Sequence, residues 1–246
     1  MLSDALSRAF IGLLLGLAGA GMALAAELAP IDQVQVHACR ATSSLLLYRG
    51  EGFQETHKAR FEADLQALDA AFQAVPQPSD GLRQKYRALV TQLQQGVSYG
   101  HNEEDVPWRF PQELAKSLRD LLIAARAAPG NTPQGELPAK VEYLAVQYLS
   151  RAYIGTFEIA RENGDTYIGQ DERTLLPAID AQLQPLDKAD PVVGKLKTRW
   201  GFLKAALADM NSQSNTLVSA SGRPYAPMMV DRHARSMSTQ LLAAGG

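Results

Sequence analysis

Four histidines, one cysteine and a few isolated arginines are the side chains in this 246-residue chain from which a reaction could be built. His37, His57, His101 and His233 share no ligand spacing. No His-Glu-x-x-His, Cys-x-x-Cys-His or Gly-x-Ser-x-Gly motif occurs, which excludes a zincin site, c-type haem attachment and an α/β-hydrolase elbow. No glycine-rich phosphate loop is present either. The most chemical-looking stretch is Tyr99-Gly100-His101-Asn102-Glu103-Glu104-Asp105. On a helix, His101 and Glu104 would face one side and could hold a metal. No second histidine stands nearby at ligand spacing, so the stretch reads as an acidic loop running into Pro107-Trp108. No metal and no cofactor are expected. Cys39 reads as a small core residue rather than a nucleophile. If exposed in an oxidising compartment it would pair with another chain.

Two further features are polar without being catalytic. Asp165-Thr166-Tyr167-Ile168-Gly169-Gln170-Asp171-Glu172 could line a ligand site, but the plainer reading is a turn with Glu172 at a helix N-terminus. Arg49, Arg151, Arg161 and Arg199 stand singly on otherwise apolar helices. Salt-bridged or snorkelling surface arginines account for such positions more simply than ligand contacts do. No enzyme is expected from this inventory.

The elements that must position these groups are helical. Phe61, Leu65, Leu68, Phe72 and Val75 recur at steps of three and four, as do Leu82, Tyr86, Leu89 and Leu93. Leu114, Leu118 and Leu121 continue the pattern. The clearest seam is Val193, Leu196, Trp200, Leu203, Leu207 and Met210, with Leu217 a heptad further on. Val230, Ala234, Met237 and Leu241 close the chain. No segment alternates with period two, so the fold class is all-α, an antiparallel helical bundle. Breaks fall at Pro76-Gln77-Pro78-Ser79-Asp80-Gly81, with Ser79 or Asp80 as N-cap, and at Gly130-Asn131-Thr132-Pro133-Gln134-Gly135. Others are Asn163-Gly164-Asp165, Asp190-Pro191 with proline at N1, and Ser221-Gly222-Arg223-Pro224.

Composition bounds the partners. Lys and Arg number 24 against 26 Asp and Glu, a net charge of -2, and 46% of residues are hydrophobic. That excludes a disordered tail and gives no basic face for nucleic acid. Residues 1–25 read as a signal peptide: Arg8 before an apolar run from Phe10 to Leu17, then small residues at Ala23 and Ala25. Cleavage there leaves 26–246 as a helical-bundle domain in the periplasm. A single cysteine excludes an internal disulfide.

The two halves of that domain resemble each other. Asp64-Leu65-Gln66-Ala67-Leu68-Asp69 parallels Gln182-Leu183-Gln184-Pro185-Leu186-Asp187. Leu82-Arg83-Gln84-Lys85-Tyr86 and Leu89 parallel Leu196-Lys197-Thr198-Arg199-Trp200 and Leu203. Apolar, basic and aromatic positions all match, which helical periodicity alone does not require. The expectation is an internal repeat over 36–128 and 139–221, two related helical units packed as one elongated bundle.

Gln147-Tyr148-Leu149-Ser150-Arg151-Ala152-Tyr153 resembles the helix-one motif, Arg-Met-Leu-Ser-Gln-Arg, of the type IV pilus chemotaxis-transducer N-terminal domain, a family that includes nitrate-sensor-like input domains. The likeness covers about 141–217 and, through the repeat, more faintly 41–93. The resemblance implies a periplasmic helical bundle that senses a small ligand, often as a homodimer. In anion-binding members an arginine of the motif grips the ligand; that position is Gln147 here. Ser150 matches the motif, and Arg151 is one position away from its closing arginine. With no flanking membrane helix or signalling domain in evidence, the chain would be a detached, secreted version of such a module.

Gln147, Ser150 and Tyr153 follow at steps of three, and Arg151 is four from Gln147. An amide, a hydroxyl, a guanidinium and a phenol on one edge suit a polar or zwitterionic solute. The competing reading turns Tyr148 and Ala152 inward and leaves that edge in water. The expectation is therefore a non-catalytic periplasmic ligand-binding or sensing module, with Gln147, Ser150, Arg151 and Tyr153 as ligand contacts. Its alternative is a structural envelope protein that docks on a membrane receptor or machine. The partners are a small solute, a membrane receptor, or both.

Overall fold

The computed structural model describes residues 29–132, 135–155, 166–208 and 227–244. The signal sequence, Ile159, Arg161, Asn163-Gly164-Asp165, Met210, Leu217 and the Ser221-Gly222-Arg223-Pro224 cap lie outside the described residues. Those described form eight helices: α1 (Pro30–Gly50), α2 (Glu55–Gln73), α3 (Asp80–Ser98), α4 (Phe110–Arg126), α5 (Glu136–Ile154), α6 (Glu172–Leu183), α7 (Pro191–Ala208) and α8 (Pro227–Ala244). A single 3-10 turn covers Glu103–Asp105. No strand occurs among the described residues, and the all-α expectation holds. No described helix is long and apolar enough to cross a membrane.

Helix starts follow the caps expected of them. The Ser79 hydroxyl accepts from the Leu82 amide at 3.2 Å to open α3. Asp190 accepts from the Val192 amide at 2.7 Å where Pro191 opens α7. Gly155, at φ 89°, closes α5 in the left-handed conformation that glycine adopts without a Cβ penalty.

Helices α1 and α5 form the centre. α1 packs on α2, α3 and α4, while α5 packs on α6, α7 and α8. In each set the third helix also packs on the fourth, and α1 lies against α5 and α8. The outer helices bury the stripes read from the sequence. Leu68, Leu89, Leu93, Leu118, Leu121, Leu207, Ala234 and Met237 are completely covered, and Leu196, Trp200 and Leu203 nearly so. The central helices carry no such stripe because they have no solvent face to spare. Both are lined with Leu, Val and Ala, yet α1 also buries Asp32, Gln35, Thr42, Ser43 and Ser44, and α5 buries Glu136, Glu142, Gln147 and Ser150. Each such group needs a partner inside the protein. Thr42 donates back to the Ala38 carbonyl at 2.8 Å, the local solution open to a threonine in a helix.

The joint between α4 and α5 binds the start of α1. Thr132 donates to Asp32 at 3.2 Å, Gln35 donates to Asn131 at 2.9 Å, and Arg126 pairs with Glu136. Burial pushes the Asp32 carboxyl up to about 6; bonding to Thr132 opposes this and the nearby Glu136 charge adds to it. A carboxyl raised in the folded state binds its proton more tightly there than in the unfolded chain. Its contribution is complete below about 3.8 and is lost as pH rises through about 6. Asp32→Asn should therefore raise stability relative to the natural protein at pH 7 and not at pH 4. Urea unfolding of both proteins across that range measures the difference; a constant offset would place Asp32 in water.

Candidate functional site

The polar residues of α1 and α5 that the core must satisfy converge on α8. Arg40 of α1 donates through Nε to Glu142 Oε1 of α5 at 2.7 Å, and through Nη2 to Ser238 at 2.6 Å and Thr239 at 2.8 Å on α8. Ser238 itself hydrogen-bonds to Glu142. Arg235 of α8 is the hub. Its Nε donates to Asp231 at 3.1 Å, its Nη1 to Asp64 of α2 at 2.7 Å, and its Nη2 to the Arg40 carbonyl at 3.0 Å and the Ser44 hydroxyl at 2.8 Å. Asp231 in turn pairs with Arg60 of α2. One guanidinium thus ties together α1, α2 and α8, and Arg40 extends the network to α5.

The charges are matched. Arg40, Arg60 and Arg235 face Asp64, Glu142 and Asp231, and both Glu142 and Asp231 are fully buried. Burial alone would raise the Asp64 carboxyl, but the Arg235 hydrogen bond and charge outweigh it and hold the group below the usual carboxylate range. Burial would lower Arg235, and the carboxylates of Asp231, Asp64 and Glu142 keep it firmly protonated instead. His37, one turn before Arg40, is pushed down to about 4 by burial and by the neighbouring arginines, so it stays neutral at physiological pH. Glu142 Oε2 and His37 Nδ1 are buried with no hydrogen-bond partner among the described residues.

This network reaches the surface in an open cleft of about 710 Å³ between α2 and α8. His57 and Arg60 come from α2, and Met228, Met229, Arg232, Arg235, Ser236, Thr239 and Gln240 from α8. A second cleft of about 510 Å³ lies between α7 and α8, lined by Lys195, Thr198, Arg199, Phe202 and His233 among others. Both are rich in cations, although the chain as a whole carries a net charge of -2.

The residues singled out from the resemblance lie elsewhere. Gln147 is fully buried and donates to the Gln170 carbonyl at 2.7 Å, tethering the loop before α6. Ser150 is buried on the same helix. The Tyr153 hydroxyl bonds to Glu51, and its ring lies so close to Gly50 that a Cβ there would strike it. Arg151 is half-buried, and its charge helps to hold the Asp171 carboxyl down, behind the stronger effect of Arg173. Gln147 and Ser150 are thus not a water-exposed edge, and none of the four lines either of these clefts.

The other sequence features resolve into packing. The 166–171 loop turns Tyr167 and Ile168 into the core, where Tyr167 donates to Gln35 at 2.8 Å and Gly169 N–H donates to Tyr143 at 3.1 Å. Arg49 caps α3 by donating to the carbonyls of Gly96, Tyr99 and Gly100 at 2.8–3.2 Å, where the helix C-terminus favours a cation. His101 stacks on Phe53 with ring centres 3.9 Å apart. Cys39 is free and fully buried, and burial raises its thiol well above the ordinary range. Among the described residues, no three His, Cys, Asp or Glu side chains are grouped to hold a metal.

Arg60, Arg232 and Arg235 were missed by sequence reading. Their signal is faint: Arg232 and Arg235 are three apart beside the Met228-Met229 pair, and Arg60 comes from a helix some 170 positions away. No family model matches this sequence, and no characterised protein or solved structure was found to be similar to it.

Proposed function

We propose that the chain is a non-catalytic ligand-binding or sensing module of the helical-bundle sensor type, exported to the periplasm and binding a small solute in the α2–α8 cleft. One observation carries the reading: Arg235 lines the cleft and is also the hub of the buried ion network that joins α1, α2 and α8. A solute seated there touches the group on which the helix arrangement depends. Occupancy can then bias that arrangement, which is the physical requirement for a sensor. The cleft's arginines offer hydrogen-bond donors and no acceptor, which suits binding and gives no base. In each set three helices lie against a central one, which supports an origin by duplication, although α8 falls beyond the 139–221 bound expected of the second repeat.

The test is a thermal-shift panel of short carboxylates, phosphate, amino acids and a polyamine, run on the natural protein, Arg232→Ala and Arg151→Ala. A solute that binds only the native state must raise its midpoint. The expected result is a shift for an anionic member, lost in Arg232→Ala and kept in Arg151→Ala. Loss in Arg151→Ala alone would move the site to the Gln147–Tyr153 segment. If no solute stabilises the protein, an envelope interaction protein becomes the better reading.

A further inference from the structure

We infer that the α2–α8 cleft selects an amphipathic monoanion: a single carboxylate or phosphodiester head on a short apolar body. The inference rests on the ligand-binding reading above and names the class of ligand.

The head is set by the charge balance of the cleft. Arg235 is spent on Asp231, Asp64, Ser44 and the Arg40 carbonyl. Among the described residues Arg60 uses Nη2 on Asp231 and has Nε and Nη1 left over; its side chain is about a third exposed, at 32%. Arg232 is exposed and enters no ion pair among the described residues. The buried carboxylates are already matched by Arg40, Arg60 and Arg235, so among the described residues Arg232 leaves the cleft with one uncompensated positive charge. A planar guanidinium with free N–H groups recognises a carboxylate or phosphate oxygen pair. A monoanion neutralises the surplus, a dianion would overshoot it, and a cation would be repelled.

The tail is set by the methionines. Met228 and Met229 open α8 and stand 50% and 44% exposed at the cleft. Adjacent exposed methionines on a surface helix offer a soft, adaptable apolar wall. Along α8 the next cleft residue is Arg232, one helical turn beyond Met228, or about 6 Å at 1.5 Å per residue. A head held by Arg232 and Arg60 therefore places a short hydrocarbon against the two sulfurs. An inorganic anion would leave that wall in water.

The probes are acetate, octanoate, octylamine and inorganic phosphate, titrated calorimetrically into the natural protein, Arg232→Gln and the pair Met228→Ser/Met229→Ser. Each methylene buried against the wall should tighten binding by up to about fourfold. Octanoate should then bind at least tenfold more tightly than acetate, and octylamine should not bind. Arg232→Gln should weaken octanoate at least tenfold, and the double serine variant should bring octanoate close to acetate. Circular dichroism melts of both variants, whose changes are all at exposed positions, check that they fold. Equal binding of acetate or phosphate and octanoate would overturn the amphipathic claim and leave the anion-sensing reading intact. Octylamine binding as tightly as octanoate would overturn the charge argument. No binding by any probe would remove this ligand class from the cleft, and the thermal-shift panel then decides the broader reading separately.

Discussion

Arg235→Ala should cost about 3–5 kcal/mol, the usual result of removing one partner from a buried ion network. The expectation follows from what is left behind. Asp231 is fully buried and would retain only Arg60, while Asp64 would keep the Ser44 hydroxyl but lose its guanidinium. The Arg40 carbonyl would lose its Arg235 donor as well. Buried carboxylates without partners must be protonated or hydrated, and either loosens the ion-paired tie between α2 and α8. The Asp64 carboxyl is held low in the folded state, so its stabilisation is present above its ordinary value of about 3.8 and lost as pH falls further. The penalty of Arg235→Ala should accordingly be large at pH 7 and shrink towards pH 3. Urea unfolding at the two values measures it. A cost below about 1 kcal/mol at pH 7 would mean a solvated surface pair, for which that is the normal range.

Leu203→Ala should cost about 2–5 kcal/mol, while its neighbour Phe202→Ala should change stability by no more than about 0.5 kcal/mol. Leu203 is 1% exposed in the seam with Leu196, Trp200 and Leu207, and Phe202 is 66% exposed beside the α7–α8 cleft. The ordering reverses what residue size alone would suggest, so the pair tests which face α7 turns inward. Trp200 anchors the same face, its indole N–H donating to Asp180 of α6 at 2.5 Å. Equal costs for the two variants would rotate the helix and displace that bond.

The outer helices were legible because each has one dry face and one wet one. Phe61 and Leu68 in α2, Leu82 and Leu89 in α3, Leu196 and Trp200 in α7, and Val230 and Ala234 in α8 all fall inward as their spacing requires. The central pair was not legible by the same means. A helix covered on all sides shows no period, and buried polar groups such as Glu142 and Ser44 look like surface positions in a linear string. Only three-dimensional pairing shows that Arg40 belongs with Glu142, 102 positions away, and Arg235 with Asp64, 171 positions away. The cleft was hidden for the same reason, since its two walls are sequence-distant and its arginines differ from surface arginines only in their neighbours. Gln147 and Ser150 were singled out by the motif resemblance and by their three-residue spacing along one helix edge. The structure accounts for Gln147 by the 166–171 loop it anchors and places Ser150 inside the bundle.

The most direct measurement of the link between cleft and core is amide hydrogen exchange on the natural protein, with and without the solute that raises its melting midpoint most. A solute in the α2–α8 cleft should slow exchange along α8 and the start of α2. It should also slow exchange in the Arg40–Ser44 turn of α1, which does not line the cleft but is bound to Arg235. Protection confined to α8 and α2, with α1 unchanged at saturating solute, would contradict the account, because the cleft would then be a binding surface with no hold on the centre of the bundle.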